Sequence, residues 1–216
     1  MIESLKLTPA YDIYRFFQER KTYEEWEREG IPVPPPAVVK QHTVKTYAKR
    51  FSLGVMVETG TYLGEMVRAT KDIFERIISV EIDERLAKRA QKKFSKYDHI
   101  TIFRGDSGEV IKEILPSIKI PCLFWLDSHY SGGLTSHAGT ETPIMKELGH
   151  IFSHDLTDHV ILIDDARNFT GENDYPELEA LRDFVLKQRP GWNFEVKHDI
   201  IRIHPQPSHG NDSAAD

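Results

Sequence analysis

The stretch Gly54-Val55-Met56-Val57-Glu58-Thr59-Gly60-Thr61-Tyr62-Leu63-Gly64 decides the fold of this chain. Its first five residues, 54–58, form a short apolar run that is typical of a strand buried on both faces. Gly60 and Gly64 bracket the turn that follows, and glycine tolerates the positive φ angles that such turns require. A helical pattern over about 63–75 comes next. The stretch therefore predicts a strand, a turn and a helix whose N-terminus offers N–H groups to a ligand.

The same alternation repeats along the chain. Further apolar runs of strand length occur at 77–81, 100–103, 122–126 and 159–163, and helical patterns occur at 84–95, 107–115, 141–152 and 176–188. Five strand–helix units predict an α/β fold with a doubly wound, Rossmann-like parallel sheet. The last two runs, 193–197 and 200–204, are joined by two residues, a connection that permits only an antiparallel hairpin. We therefore expect a seven-stranded sheet with an antiparallel C-terminal hairpin.

Residues 1–53 precede this sheet and read as an N-terminal helical extension. Two helical patterns, over 10–29 and about 38–51, are separated by a Pro-rich hinge at 31–36 that cannot be helical. The sheet domain then spans 54–204, and the polar tail 205–216 is expected to be disordered. The extension could cover the active site, form a homodimer interface or pack on the sheet, and packing is the default expectation.

Composition narrows the class of protein. The 216 residues carry a net charge of −6, which argues against a general nucleic-acid or anionic-membrane partner. No stretch approaches the ~18 apolar residues of a membrane span. The single cysteine, Cys122, lies in an apolar run and is expected to be a buried, reduced thiol. We therefore expect a cytoplasmic globular protein.

Acidic residues follow the second and third strands, where ligands of doubly wound sheets bind. Glu81 lies about 20 residues beyond the glycine turn, so it could accept hydrogen bonds from both hydroxyls of a ribose. Asp83 either caps the next helix or joins that site. Asp106 or Ser107 either caps a helix or reaches an adenine amino group. The three-glycine fingerprint is missing, which disfavours a dinucleotide.

Three more carboxylates follow the fourth and fifth strands: Asp127, Asp164 and Asp165. At neighbouring strand ends they would repel each other unless a cation or a basic group lies between them. Oxygen ligands favour Mg²⁺, Mn²⁺ or Ca²⁺ over zinc. The alternative is that Asp127 caps a loop and that Arg167 or backbone amides hold the other two.

Taken in order, these strand-end motifs resemble those of the class I S-adenosylmethionine-dependent methyltransferases. Within that group they look most like the metal-dependent small-molecule O-methyltransferases of the catechol, caffeoyl-CoA and macrocin types. The similarity spans roughly residues 50–204, and it is more specific for the fold and cofactor than for the reaction. It rests on Glu58 to Gly64, Glu81-Ile82-Asp83, Gly105-Asp106-Ser107, Asp127 and Asp164-Asp165.

The resemblance implies roles for these residues. The site for S-adenosylmethionine would comprise Glu58, Gly60, Thr61 and Gly64 around the methionine part, Glu81 at the ribose, and Asp106 and Ser107 near the adenine. Asp83 would also belong to this cofactor site. A divalent cation, Mg²⁺ before Mn²⁺ or Ca²⁺, would be held by Asp127, Asp164 and Asp165. The family often has Asn where this chain has Asp165, which adds negative charge here.

The general base departs from the family pattern. The catechol-type enzymes place a lysine three residues after the strand-four aspartate, where this chain has Tyr130. His129 is the natural substitute, because an unperturbed histidine titrates near neutral pH and can accept a hydroxyl proton. The polar loop from Ser128 to Thr142 is unusually long and predicts a substrate loop or lid.

The sequence therefore predicts cation-assisted methyl transfer from S-adenosylmethionine to a hydroxyl group of a small molecule. Asp127 and His129 would be catalytic, and a sugar or polyol-like acceptor is favoured over a planar catechol. Two alternatives stay open, because fold does not fix function. One is a metal-dependent natural-product hydroxylase-like enzyme on the same scaffold, and the other is a non-catalytic protein that binds the cofactor or a partner.

Overall fold

A computed structural model describes residues 9–128 and 142–206 of the chain, with side chains from Phe17 onward. Short 3₁₀ turns lie at Leu115–Ser117 and Ala166–Asn168. None of the helices in these ranges is both long and apolar enough to cross a membrane. The elements in chain order are α1 Pro9–Arg28, α2 Ala37–Arg50, β1 Val55–Thr59, α3 Glu65–Thr70, β2 Arg76–Glu81, α4 Glu84–Phe94, β3 Ile100–Arg104, α5 Ser107–Ile114, β4 Leu123–Leu126, α6 Ile144–Phe152, β5 Val160–Ile163, α7 Leu178–Gln188, β6 Asn193–Lys197 and β7 Ile200–His204.

The strands form one seven-stranded sheet in the order β3-β2-β1-β4-β5-β7-β6. Strands β1 to β5 pair in parallel, whereas β7 is antiparallel to both β5 and β6. This confirms the predicted Rossmann-like sheet with its antiparallel C-terminal hairpin. The strand order reverses between β1 and β4, so a crevice is expected beyond the carboxyl ends of those two strands.

Both faces of the central strands β1, β2, β4, β5 and β7 are buried, as their near-continuous apolar runs predicted. The edge strands β3 and β6 are largely exposed, so the prediction of a strand buried on both faces was wrong for β3. Alternate residues of a strand point to opposite faces. Val57 packs on the side of α5, α6 and α7, and Met56 packs on the side of α2, α3 and α4. Cys122 is fully buried, and burial raises the pKa of its thiol far above the usual value. The expectation that this thiol is buried is therefore confirmed, and its reduced state stays a prediction.

The helix predicted over 63–75 is the element that differs most from its predicted bounds. Gly64 takes a positive φ of 69° and caps α3, so the helix begins only at Glu65. It ends at Thr70, whose hydroxyl donates back to the Met66 carbonyl. The other described strands and helices lie within about three residues of their predicted ends, a scatter normal for such assignments. The predicted disordered tail lies outside the described residues from position 207 onward.

Both helices of the N-terminal extension contact the sheet domain. In α2, Val44 and Ala48 are buried in the same core as Met56 and Leu162. At the end of α1, the indole N–H of Trp26 donates to the Pro32 carbonyl over 2.8 Å. The Trp26 ring also lies edge-on to His198 in the turn between β6 and β7, with centroids 4.9 Å apart. The first turn of α2 is thereby placed over the sheet.

Candidate functional site

Gly60 lies where the turn after β1 meets the loop after β4. Its φ is 83°, and its N–H donates to the Val80 carbonyl over 2.9 Å. A Cβ atom built on Gly60 would lie 2.3 Å from the carbonyl oxygen of Asp127, far inside van der Waals contact. The two loops can approach this closely only because residue 60 is glycine. Because this contact lies where the strand order reverses, we expect it to form the floor of the crevice.

The remaining predicted turn residues, Thr61 and Gly64, shape the same loop. The Thr61 N–H also points to the Val80 carbonyl, at 3.2 Å. A Cβ atom on Gly64 would lie 2.6 Å from the Phe94 ring, so this glycine lets α4 pack against the turn. The N–H groups of Gly60 and Thr61 are therefore used within the fold. What the turn offers a ligand is close access to its backbone.

Glu58, at the end of β1, is almost completely buried, with 2% of its surface exposed. The Ser79 hydroxyl donates to its carboxyl group, and Ser79 in turn contacts the Thr61 hydroxyl. Burial raises the pKa of Glu58 to about 8, and the negative charges of Asp127 and Glu81 add to the rise. Glu58 therefore keeps its proton at neutral pH unless a positive group comes close.

Glu81, at the end of β2, is held in one orientation by the backbone. Its Oε2 accepts from the Tyr62 N–H over 2.7 Å, and its Oε1 accepts from the Asp83 N–H over 2.9 Å. An ionised carboxylate can accept about four hydrogen bonds, so both oxygens keep capacity for a further donor. Such a fixed carboxylate suits the paired hydroxyls of a ribose.

Asp83 and Asp106 cap helices. Asp83 Oδ1 accepts from the N–H groups of Arg85 and Leu86 at the start of α4, over 2.9 and 3.0 Å. Asp106 Oδ1 accepts from the Gly108 N–H at the start of α5, over 2.9 Å. The capping role left open by the sequence is confirmed for both, and their cofactor roles stay predictions. Ser107 instead donates to the Ser128 hydroxyl beyond β4.

Lys40, a residue that the sequence analysis missed, reaches the aspartates at the end of β5. Its ammonium group donates to Asp164 Oδ2 and lies 3.4 Å from Asp165 Oδ1. Burial alone would lower the pKa of Lys40, but Asp164, Asp127 and Asp165 raise it overall, so the ammonium stays charged. The sequence did indicate that a cation or a basic group must lie among the carboxylates. It could not identify a lysine 124 residues away in the sequence.

Arg167 holds Asp165 from the other side. Its Nη1 donates to Asp165 Oδ1 over 2.8 Å and to Asp199 in the turn between β6 and β7. The backbone N–H of Arg167 also donates to Asp199, and that of Asp165 donates to Asp164 Oδ1. The alternative in which Arg167 and a backbone amide hold the aspartate pair is confirmed for these contacts. Asp165 adopts a φ of 55°, and Arg167 fixes its carboxylate there.

Carboxyl groups nevertheless crowd this edge of the sheet, and burial together with their mutual repulsion raises the pKa values of several of them. Burial and the charge of Asp127 raise the pKa of Asp164 to about 7 in spite of Lys40. Burial likewise raises the pKa of Glu147, on α6, to about 7, with repulsion from Asp106 and Asp127 adding to it. Together with Glu58, these groups show an edge where a further positive charge would be stabilised.

A small cleft opens beside these carboxyl groups. Asp127, Glu147 and Asp164 give it a polar lining, and the rings of Phe169 and Tyr175 form an aromatic wall. Among the described residues, Glu147 Oε1 is buried without a hydrogen-bond partner. A buried acceptor of this kind is costly unless a ligand or water satisfies it. The cleft therefore suits a small molecule with hydroxyl groups.

The predicted divalent cation does not fit this arrangement of side chains. Within residues 9–128 and 142–206, no three metal-ligating side chains are arranged to hold an ion. The ammonium group of Lys40 already pairs with both Asp164 and Asp165, and Arg167 pairs with Asp165. A metal ion between these aspartates would have to displace Lys40. The predicted base His129 and the loop from 129 to 141 lie outside the described residues.

Neither a protein-family model nor a curated protein matches the chain. Solved structures do match it. An O-methyltransferase from Bacillus cereus in complex with SAH superposes with a TM-score of 0.58 at 12% identity, over 86% of this chain and 90% of that one. A putative caffeoyl-CoA O-methyltransferase from Staphylococcus aureus superposes with a TM-score of 0.57 at 14% sequence identity, over 90% of this chain and 97% of that one. The SAH-bound methyltransferase PaMTH1 from Podospora anserina superposes with a TM-score of 0.56 at 17% sequence identity, over 93% of this chain and 97% of that one. At these identities the likeness shows the fold, which is that of the suspected class I methyltransferases.

Proposed function

We propose that this protein transfers a methyl group from S-adenosylmethionine to a hydroxyl group of a small molecule. The observation that carries the proposal is the excess of buried carboxyl groups around the contact between Gly60 and the Asp127 backbone. The pKa values of Glu58 and Asp164 are raised partly by the charge of Asp127, so this crevice favours a cationic ligand. The sulfonium centre of S-adenosylmethionine is such a ligand, and matched structures with the same fold contain SAH or SAM.

The residues after β1, β2 and β3 fit the cofactor by their chemistry. Glu81 is the proposed ribose ligand because its oxygens are oriented and retain accepting capacity. Gly60 lets the methionine part approach the backbone, with Glu58 beneath it. Asp106 and Ser107, at the N-terminus of α5, are proposed to lie near the adenine.

The reaction asks little covalent work of the chain. When bound, S-adenosylmethionine supplies a methyl group on a positively charged sulfur. The acceptor oxygen attacks the methyl carbon, the electron pair of the broken C–S bond stays on sulfur, and the hydroxyl proton passes to a base. His129 is the proposed base. The chain contributes mainly by holding the acceptor oxygen in line, because orientation can supply a large share of the lowering of the barrier.

The cleft beside Asp127 is the proposed acceptor site. Its unpartnered Glu147 oxygen and the carboxylate of Asp164 suit donated hydroxyl hydrogens, which supports a sugar or polyol-like acceptor. The rings of Phe169 and Tyr175 would cover the acceptor's apolar face. We propose no nucleic-acid or membrane partner, and the proposed location is the cytoplasm.

Assistance by a divalent cation stays a prediction from the sequence. The ion pairs of Lys40 with Asp164 and Asp165 do not fit it, so no step of the proposed reaction passes through a metal. Turnover measured in excess EDTA tests the point. Loss of turnover, restored by Mg²⁺, would return the cation to the mechanism.

Calorimetry with SAH tests the cofactor assignment. We expect the wild-type protein to bind SAH and Glu81→Ala to lose at least tenfold in affinity, about 1.4 kcal/mol. Glu84→Ala is the matched control, because Glu84 is the exposed acid at the start of α4 and pairs with Lys88. Its affinity should equal that of wild type. A wild-type protein that shows no binding at millimolar SAH would refute the assignment.

A labelled-methyl screen of metabolite extracts then tests the activity. Incorporation of label into a small hydroxylated compound supports methyl transfer. Binding of SAH without a labelled product from any extract would instead favour the non-catalytic alternative.

A further inference from the structure

Lys40 is a charged side chain from the N-terminal extension that pairs with Asp164, a residue that lines the proposed acceptor site. Its side chain is 20% exposed, whereas those of Asp164 and Asp165 are 1% and 6% exposed. Two aspartates buried together need a positive partner, since an uncompensated pair would cost several kcal/mol. Lys40 is the ammonium group that stands between them.

We propose that Lys40 supplies the positive charge which the sequence assigned to a divalent cation, so that the aspartates of β4 and β5 work with a lysine in place of a metal. This inference rests on the proposed function for the identity of the acceptor. The pairing of Lys40 with the carboxylates does not depend on that function. An ammonium group and a metal ion cannot occupy the same space, and each satisfies the same oxygens.

The fold places Lys40 there by fixing the start of α2. Pro36 adopts an extended conformation directly before the helix, and Lys40 follows in the first turn. Val39 and Val44 are buried, and the Thr43 hydroxyl donates to the Val39 carbonyl. The backbone beneath Lys40 is therefore held by packing, and its side chain enters the site from a rigid helix.

The other contacts of the aspartates support a lysine as the resident cation. Arg167 already occupies Asp165 Oδ1, and the Asp165 N–H occupies Asp164 Oδ1. A metal ion would have to compete for oxygens that are bound to these donors. An ammonium group carries three N–H donors, and two of them serve Asp164 and Asp165. Asp164 also lines the cleft, so Lys40 holds a carboxylate of the proposed acceptor site.

A titration with Mn²⁺ tests the proposal on the full chain. Free Mn²⁺ is followed by electron paramagnetic resonance for wild type, Lys40→Met, Lys40→Arg and the control Lys49→Met, which changes an exposed lysine on the same helix. We expect wild type, Lys40→Arg and Lys49→Met to bind Mn²⁺ weakly. Lys40→Met leaves Asp127, Asp164 and Asp165 without the ammonium group, so it should bind at least tenfold more tightly.

Two results would overturn the proposal. One is wild-type Mn²⁺ affinity equal to that of Lys40→Met, because the lysine would then not occupy the cation position. The other is no gain of Mn²⁺ affinity in a folded Lys40→Met protein. If Lys40→Met does not fold, the same titration of Lys40→Gln, which keeps a polar end group without the charge, gives the decision.

SAH calorimetry on the same samples separates this inference from the proposed function. Lys40 lies among the β5 carboxylates, so we expect Lys40→Met to keep SAH affinity within about threefold of wild type. If wild type does not bind SAH, the proposed function is refuted. The Mn²⁺ titration still decides whether Lys40 takes the place of the cation. Gain of Mn²⁺ binding with unchanged SAH affinity is the result expected if both hold.

Discussion

Two groups of carboxylates share the carboxyl edge of the sheet, and they are stabilised in different ways. We name the two groups after the roles proposed for them. The proposed cofactor half comprises the acids after β1, β2 and β3, which are Glu58, Glu81, Asp83 and Asp106. The proposed acceptor half comprises the acids after β4 and β5, which are Asp127, Asp164 and Asp165. In the cofactor half, backbone N–H groups and the Ser79 hydroxyl donate hydrogen bonds to the acids. In the acceptor half, Lys40 and Arg167 hold Asp164 and Asp165.

The difference shows what a strand-end position determines. Topology places an acid at the edge of the sheet in both halves. It does not determine whether a dipole or a full charge compensates that acid. Backbone amides orient a carboxylate and leave it able to receive a cationic or hydroxylated ligand, whereas a buried ion pair satisfies it within the chain. We infer that the cofactor half is open to a ligand and that the acceptor half carries its own cations.

The largest expected effect comes from the contact that joins the two halves. Gly60→Ala places a Cβ atom 2.3 Å from the Asp127 carbonyl oxygen, so the backbone of one loop must move. We expect a loss of about 4 kcal/mol or more in the free energy of unfolding, through strain at positive φ and the steric clash. Urea denaturation followed by circular dichroism measures it.

Gly191→Ala is the matched control for this substitution. Gly191 has nearly the same φ, 84°, but a Cβ atom there meets nothing within 4 Å. Gly191→Ala should therefore lower the free energy of unfolding only by the cost of the positive φ, about 1–2 kcal/mol. Equal losses for the two variants would show that the loops need not lie so close, and the crevice floor described above would be wrong.

The second effect concerns the pH dependence of stability in the cofactor half. The pKa of Glu58 is about 8 in the fold, above its ordinary value, so the native state keeps a proton that the unfolded chain releases. Glu58 therefore contributes its full share to the free energy of unfolding below about pH 4.5, and this contribution is lost as the pH rises toward 8. Glu58→Gln should remove this loss, gaining about 4 kcal/mol in the free energy of unfolding relative to wild type between pH 5 and pH 9.

Chemical denaturation at both pH values checks this expectation. Glu109→Gln, on an exposed face of α5, serves as the control and should follow the wild-type profile. A Glu58→Gln profile parallel to that of wild type would mean that Glu58 is ionised in the fold, with a cationic partner. The contrast between the halves would then fail.

The smallest effect compares one arginine in each half. Arg167→Met leaves Asp165 and Asp199 without their shared donor, and we expect a loss of about 1–2 kcal/mol, reduced because the arginine side chain is 39% exposed. Arg85→Met in the cofactor half removes a 77% exposed side chain that lies 3.7 Å from Asp83. It should change stability by less than about 0.5 kcal/mol. If thermal unfolding shows similar losses of stability for the two variants, the two halves are not stabilised in different ways.

Local chemistry explains which parts of the site the sequence could predict. Asp83 and Asp106 were expected as possible caps because a cap bonds to N–H groups two or three residues later, within one readable segment. Glu58 and Glu81 were located because parallel strands bring their carboxyl ends to one edge. Lys40 could not be found in this way, since nothing in its own segment indicates which strand end it will face. Its pairing follows from how α2 packs.

The sequence by itself determined the alternation of strands and helices, the reversed hairpin and the row of acids at one edge. These features follow from apolar periodicity and short connections, which act over a few residues. The tertiary structure alone decided that Gly60 touches the Asp127 backbone and that Lys40 and Arg167 hold the aspartates of β5. Such contacts join segments far apart in the chain, and they exist only once the whole core has packed. The physical reason is that burial makes charge compensation obligatory while leaving open which residue provides it.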